Sequence, residues 1–446
     1  MSERATLIRG GVIVTMDPVR RVLEGDVLVV GDRIAAVGKV RAAAIPAGAR
    51  LIEAAGHAVI PGLVQAHVHL CQALFRGMAD DLPLLEWLRM RIWPLEAAHD
   101  ERSLGASARL GLAEMLCAGT TTILDMGTVH AHDAVMEAIA DSGMRALSGK
   151  AMMDAGDGVP KRLRESTRAS IRESERLATR WHGAADGRIG YAWAPRFILS
   201  CSAKLLREAA ERASARGQIV HTHAAEHAAE REAVRKVLGK QDVAALAELG
   251  VTGPRAVIAH GVQLEREEMR ELGRAGTRVV HCPSANLKLA SGIADVVAMR
   301  AAGIVVGLGS DGAPCNNRMD PWTELRQAAL LAKVRRDDAA AMPAMEALAL
   351  ATIDGARALG LDAEIGSIEP GKKADLAVVD LDGLHALPGG RPETRLVYSC
   401  TPADVRHVLV DGALIVRDRE LTTLDTREVR ADALRQARRL VVRARI

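Results

Sequence analysis

Residues 58–77 read AVIPGLVQAHVHLCQALFRG. The run Val59–Val64 is apolar, carries Pro61-Gly62 near its entry, and reads as a buried strand ending in His67-Val68-His69. Side chains two apart on a strand face the same way, so the two imidazoles converge on one point. That is how a protein offers two nitrogen ligands to one metal. An isolated HxH pair is common on surfaces. At the end of an apolar run it directs the search for further ligands elsewhere in the chain.

Downstream of this stretch, apolar β runs alternate with helical periodicity as far as about residue 312. The runs are Thr120–Asp125, Arg145–Met153, Arg188–Ala194, Gln218–His223, Ala256–His260, Thr277–His281 and Ile304–Asp311. Helical patterns between them include Ser103–Ala118, Lys204–Arg216, Leu264–Ala275 and Ile293–Ala302. With the first strand this makes about eight β/α units, the number a closed parallel barrel needs. A doubly wound open sheet would carry a Gly-rich phosphate loop after its first strand, and none is present.

Upstream, Ala5–Met16, Asp26–Val30, Arg33–Val37 and Arg50–Glu53 read as short strands, with a tight turn at Gly31-Asp32. Helices are expected at Pro321–Ala332 and Ala344–Leu359. Strands return at Ala374–Asp380, Arg395–Ser399, Val405–Val410 and Ala413–Val416. A basic amphipathic helix, Thr426–Arg445, reads as a solvated surface helix. The simplest assembly is an α/β chain: a (β/α)8 barrel over 59–365 beside a small β-sandwich made from 1–58 and 366–446.

Composition narrows the function classes. A chain of 446 residues exceeds one compact core. Apolar residues make up 49% and charged residues 26%, ordinary values for a globular protein. A net charge of +3, with both signs interspersed, leaves no footprint for nucleic acid or an anionic membrane. Six scattered cysteines without a CxxC argue against a zinc ribbon or a disulfide scaffold. The opening MSERATLIRGG has no signal-like region, and no apolar run approaches a membrane span, so a reducing cytoplasm is expected.

Catalytic groups of such barrels sit at the C-terminal ends of the strands. Here the first strand ends in His67 and His69, the fifth in His223 followed by Glu226, the sixth in His260, the seventh in His281 and the eighth in Asp311. Imidazole and carboxylate together suit zinc or another divalent first-row metal. The expected ligands are His67, His69, His223 and Asp311 around one ion. A metal lowers the pKa of its water from about 15.7 to roughly 7. Asp311 is placed to take the proton, Glu226 to protonate a ring nitrogen, and His260 to stabilise an oxyanion or shuttle protons.

Other readings stand beside these. A single strand-end histidine is more often a satisfied core group than a ligand. His221 shares a face with His223 and is the alternative ligand, although only His223 has a glutamate three residues on. His281 reads as packing beneath the site and His227 as a helix-surface residue. His57, His99, His130, His132, His182, His385 and His407 read as surface or structural. Trp87 and Trp93, in Asp80–His99, are either a lid or core.

Gly62–His69, His223-Ala-Ala-Glu226, Ala259-His260-Gly261 and Gly309-Ser310-Asp311-Gly312 resemble the amidohydrolase superfamily. Within it they resemble the aminohydrolase branch of S-adenosylhomocysteine, methylthioadenosine and 5′-deoxyadenosine deaminases, guanine deaminases and triazine hydrolases. Gly366–Asp375 and Val410-Asp411-Gly412 resemble the family's returning sandwich strands. The resemblance implies a distorted barrel, a mononuclear site, most commonly zinc with iron or manganese as alternatives, a small heterocyclic substrate and a homo-oligomer. Arg188–Pro195 has no lysine, in keeping with a single metal.

Substrate residues follow from the same resemblance. The segment from Arg76-Gly77 to Trp93-Pro94-Leu95-Glu96 resembles adenosine-type deaminases, in which the glutamate matching Glu96 holds the ribose hydroxyls. Lys150 and Arg162 fall near positions used for the homocysteine carboxylate, though a lysine cannot supply bidentate recognition. Gln72 and the pair Arg196-Phe197 are instead similar to the base contacts of guanine deaminases. Deamination of an adenine nucleoside is the leading expectation. A guanine or other aminoheterocycle is the alternative, followed by a triazine and by a catalytically dead barrel. The cytidine-deaminase signature HxE…PCxxC is absent.

Overall fold

A computed structural model describes residues 5–446; the first four residues of the opening stretch lie outside it. The chain begins with five strands, β1 (Ala5–Val14), β2 (Val22–Val30), β3 (Arg33–Gly38), β4 (Arg50–Glu53) and β5 (His57–Pro61). The barrel strands are β6 (Leu63–Val68), β7 (Thr120–Met126), β8 (Arg145–Gly149), the short β9 (Ala151–Met152), β10 (Ile189–Pro195), β11 (Ile219–Ala224), β12 (Ala256–His260), β13 (Arg278–His281) and β14 (Val306–Leu308). The chain then returns through β15 (Leu376–Asp380), β16 (Val405–Val410), β17 (Ala413–Arg417) and β18 (Glu420–Leu421).

Two sheets result. The parallel barrel runs β6-β7-β8-β10-β11-β12-β13-β14, with β9 on β10. Its seam closes where the Asp311 N–H donates to the His67 carbonyl at 3.1 Å. Gly309 permits that closure: a Cβ there would lie 2.5 Å from the His67 carbonyl oxygen. The second sheet has nine strands and joins both ends of the chain, β15 pairing antiparallel with β5 from Leu376–Pro61 to Asp380–His57. Ile8, Val27, Ile34, Val59, Leu376 and Leu409 form its separate core.

The expected single strand Val59–Val64 is in fact two. β5 belongs to the terminal sheet and β6 opens the barrel, so the sheet's share of the chain reaches Pro61, beyond residue 58. Gly62 makes the crossing because a Cβ would meet the Thr121 side chain at 2.2 Å. The expected strand Arg395–Ser399 is a helix, Pro392–Tyr398. Proline at the first turn is pre-set for a helix, and adjacent Leu396 and Val397 bury together rather than alternating. Ala344–Leu359 breaks into two helices at Ala351-Thr352, which frees the Ala351 carbonyl to accept from Val64 N–H at 2.7 Å. The terminal helix, Thr426–Ala444, is docked rather than fully solvated. It buries Val429, Ala433, Gln436 and Leu440, and Arg443 donates to the Ala98 carbonyl at 2.8 Å. No helix among the described residues is long and apolar enough to cross a membrane.

Candidate active site

The C-terminal mouth of the barrel gathers the strand-end residues. His67, His69 and His223 bring one nitrogen each within 4.8 Å of one another, as do ligand atoms of His67, His260 and Asp311. Nε2 of His67 lies 3.3 Å, and Nε2 of His69 3.4 Å, from Asp311 Oδ1. All five side chains are buried. The structure also separates His223 from His221. His223 Nε2 faces His69 Nε2 at 3.3 Å, whereas His221 stands behind the cluster with Nε2 3.0 Å from His67 Nδ1.

The hydrogen bonds set the tautomers. His69 Nδ1 donates to the Met126 carbonyl and His223 Nδ1 to the Arg196 carbonyl, each at 2.7 Å. A carbonyl only accepts, so each Nδ1 carries the proton and each Nε2 a lone pair. Two lone pairs facing each other at 3.3 Å repel unless a cation lies between them. His67 Nε2 is buried without a hydrogen-bond partner. Burial and the neighbouring His67 lower His69 to about 4, so its ring is neutral at pH 7. Burial opposes ionisation of Asp311, but the neighbouring His67, with His260 and His69, holds it well below the ordinary carboxylate range. A neutral imidazole set plus one carboxylate, each Nδ1 steadied from behind, fits a divalent metal.

Glu226 and His260 occupy the adjoining side. His260 Nδ1 donates to Asn286 Oδ1 at 2.9 Å, which leaves the Nε2 lone pair 3.5 Å from Glu226 Oε2 and 3.8 Å from Asp311 Oδ2. Burial, reinforced by Asp311, pushes Glu226 well above its ordinary range, which favours its protonated form. Ala225, His260 and Asp311 all adopt positive φ, at +52°, +76° and +60°. Such strain in residues with side chains persists only where the surroundings enforce it.

Leu84, Trp87 and Leu88 line the same space as the histidine–aspartate cluster, and Gln72, Arg196 and Phe197 complete the wall. The covering segment is helical from Leu84 to Ala97 with a π turn at Leu88–Ile92. Such π turns often mark functional sites. Trp87 lines this space, and both Trp87 and Trp93 are buried in one apolar core cluster. The enclosed space is only about 30 Å³. Behind Glu96 lies a second cavity of about 500 Å³, lined also by His99, Thr128, His130 and Arg162.

Arg196 and Glu96 form a buried bidentate pair, with Nη1 2.6 Å and Nη2 3.1 Å from the two carboxylate oxygens. The Gln72 amide donates to the same carboxylate at 2.8 Å, while Gln72 Oε1 is buried without a partner. Lys150 is not brought to the site. It is fully buried and its ammonium is spent on Glu165, Ser170 and the Ala151 carbonyl. Arg162 lies beyond Glu96 and donates to the His99 carbonyl at 2.9 Å. His281 is buried and does not line the cavity; burial lowers it to about 3. His99 and His132 are hydrogen-bonded core residues.

Sequence reasoning passed over Asp125. Buried at the end of β7, it accepts from the Leu70 N–H at 2.8 Å and the Ser148 hydroxyl at 2.6 Å, and so fixes the turn after His69. Inspecting that strand end as closely as the others would have found it.

A closed parallel barrel with a mixed histidine–aspartate centre and a buried acid at its C-terminal mouth defines a metal-dependent hydrolase. The Amidohydrolase family signature matches residues 58–415, and this chain belongs to that family, whose hydrolases act here on C–N bonds. The chain is 40% identical to a 5′-deoxyadenosine deaminase of Methanothermobacter thermautotrophicus, over 96% of its own length and 97% of the relative's. It is also 40% identical to a 5-methylthioadenosine/S-adenosylhomocysteine deaminase of Halobacterium salinarum, covering 98% of each. An adenosine deaminase from Xanthomonas campestris with bound zinc superposes with a TM-score of 0.92 at 34% identity, over 99% of this chain and 100% of that one.

Proposed function

We propose that this chain removes the exocyclic amino group of an adenine nucleoside as ammonia, acting on 5′-deoxyadenosine, methylthioadenosine or S-adenosylhomocysteine. One observation carries the reading: imidazole nitrogens of His67, His69 and His223 and the Asp311 carboxylate meet beside the buried Glu226 carboxyl and His260 Nε2. The named activities of the 40%-identical relatives support the nucleoside class.

His67, His69, His223 and Asp311 would hold one divalent ion; Zn²⁺ is favoured by the zinc of the Xanthomonas relative, ahead of Fe²⁺ or Mn²⁺. Bound there, it supplies Lewis acidity that brings the pKa of a water to roughly 7. Asp311 accepts a proton from the attacking water. Glu226 donates its proton to the ring nitrogen beside the carbon under attack. His260 Nε2 takes up the proton that Asp311 received and delivers it to the departing amine, and as the hydroxyl on the attacked carbon becomes a carbonyl its proton returns to Glu226. The water oxygen bonds to carbon, the C–N bond breaks, and its electron pair leaves with ammonia. Leu84, Trp87 and Leu88 exclude bulk water, and because the closed space is smaller than a purine they form the lid that lifts for entry. Glu96 faces the ribose, Gln72, Arg196 and Phe197 the base, and Arg162 the 5′ substituent in the second cavity. Six free cysteines support a cytoplasmic setting, and a homo-oligomer is proposed on the family resemblance.

A second reading is favoured by the Glu96 contacts. Three donated hydrogen bonds leave that carboxylate little capacity for a ribose diol, while the free Gln72 Oε1 awaits an N–H donor. Guanine or another free aminoheterocycle would meet that demand. The test is ammonia release from the three nucleosides, adenosine, guanine and an aminotriazine, before and after chelation and with metals restored. Turnover of nucleosides that vanishes with the metal is expected. Turnover of guanine with none of the nucleosides would replace the first reading by the second. Full activity of metal-free protein would end both.

A further inference from the structure

Glu324 is a buried carboxyl that the proposed chemistry does not use. It sits on the helix Pro321–Arg336, outside the cavity lining. Its Oε2 accepts from the Ser284 N–H at 3.0 Å, just after β13. Its Oε1 lies against the Ser284 hydroxyl and 2.9 Å from Asn316 Nδ2. The same Asn316 amide donates to the Ser310 carbonyl at 2.8 Å. On the other side of that residue, the Ser310 N–H donates to Gln65 Oε1 at 3.1 Å, and Gln65 is anchored on the Met319 carbonyl at 2.9 Å and Thr120 Oγ1 at 3.1 Å.

Ser310 is therefore gripped at both backbone groups immediately before Asp311. Asp311 needs that grip, because its φ of +60° is unfavourable for a residue with a Cβ. Without restraint the backbone would relax and carry the carboxylate away from His67 and His69. Burial raises Glu324 to about 8, so it is protonated at pH 7. A protonated Glu324 can donate to the Ser284 hydroxyl, which then donates to Gln327 Oε1 at 3.2 Å. One hydroxyl proton could not serve both acceptors.

We propose that Glu324, acting through Asn316 and the Ser310 carbonyl, is a positioning residue that holds Asp311 in its working conformation and clips the loop after β13 to the loop after β14. The proposal rests on the assignment of Asp311 to the metal and the attacking water. Glu324→Gln tests it selectively: the amide can still donate to Ser284 Oγ, but its NH2 confronts the NH2 of Asn316. Asn316→Ala removes the same link from the other side.

Both variants are expected to lower kcat about 10–100-fold with KM nearly unchanged, the scale of a misplaced reacting group. The double variant should be no worse than the poorer single. Both should shift the visible absorption of Co²⁺-loaded protein in the same direction, a readout that needs no turnover. Wild-type kcat and an unshifted Co²⁺ spectrum in both singles, with Asp311→Asn inactive, would overturn the positioning role. Multiplying losses in the double variant would do the same. A fully active Asp311→Asn would instead remove the assignment beneath it.

Discussion

Replacing Arg196 with methionine is expected to destabilise the fold severely, and to reverse the way this site responds to acid. The Arg196 and Glu96 side chains are 4% and 0% exposed, and the guanidinium supplies two of the three hydrogen bonds that Glu96 accepts. Methionine fills similar volume but leaves a buried carboxylate with only the Gln72 amide. Breaking a buried pair from one side costs about 3–5 kcal/mol. That is a large part of the ~5–15 kcal/mol of a typical domain, so the midpoint of urea unfolding should fall sharply. Glu96→Leu should cost a similar amount by stranding the arginine. The double variant, with no charge left to desolvate, should lose less than either single.

The pH dependence carries the sign. In the wild type burial pushes Glu96 up, but the charge and hydrogen bonds of Arg196 outweigh it, so Glu96 lies below its ordinary 4.5. Its contribution is present above the unfolded pKa and is lost as pH falls through the folded one. In Arg196→Met, burial is opposed only by the Gln72 amide and His69 and raises the folded pKa. Stability should then rise as pH falls toward protonation. Urea titrations at several pH values measure both effects. Losses under about 1 kcal/mol in the singles, or additive losses in the double variant, would refute the pair as the organising contact of this wall.

Three further outcomes follow from the site. Glu226→Gln should lose about 10²–10⁴-fold in kcat while binding metal normally, because an amide cannot deliver the proton; near-normal turnover in the purified variant would contradict its role as acid. Glu324, raised to about 8, binds its proton in the native state while the unfolded chain releases it near 4.5, so stability should fall with rising pH across that window by up to about 1.4 kcal/mol per unit. Denaturation curves of Glu324→Gln should show a smaller slope, and an unchanged slope would place its origin elsewhere. Gly309→Ala should open the β6–β14 seam, since the new Cβ meets the His67 backbone, at a cost of roughly 1–3 kcal/mol and with weakened metal binding; calorimetric titration with zinc and thermal unfolding would show both, and a variant unchanged in each would mean that the seam can yield.

The alternation of apolar runs with helical periods determined the eight barrel units, because each strand and helix announces itself over five to fifteen neighbouring residues. The strand ends then pointed to His67, His69, His223, Glu226, His260 and Asp311, and the structure brings all six to one mouth. Local pattern preferred His223 to His221, which shares its strand face, only through the glutamate three residues on; the direction of each ring depends on Arg196 and His67, contributed by other segments. Local pattern could not divide Val59–Val64 between two sheets, since the division is imposed by Thr121 pressing on Gly62. Lys150 falls close in sequence to other candidates, yet its ammonium is claimed by Glu165 and faces away. The pairing of Glu96 with Arg196, a hundred residues apart, is likewise a tertiary fact. Periodicity is a property of neighbours along the chain, whereas the partner of a buried charge is set by whatever the fold places within about 3 Å of it.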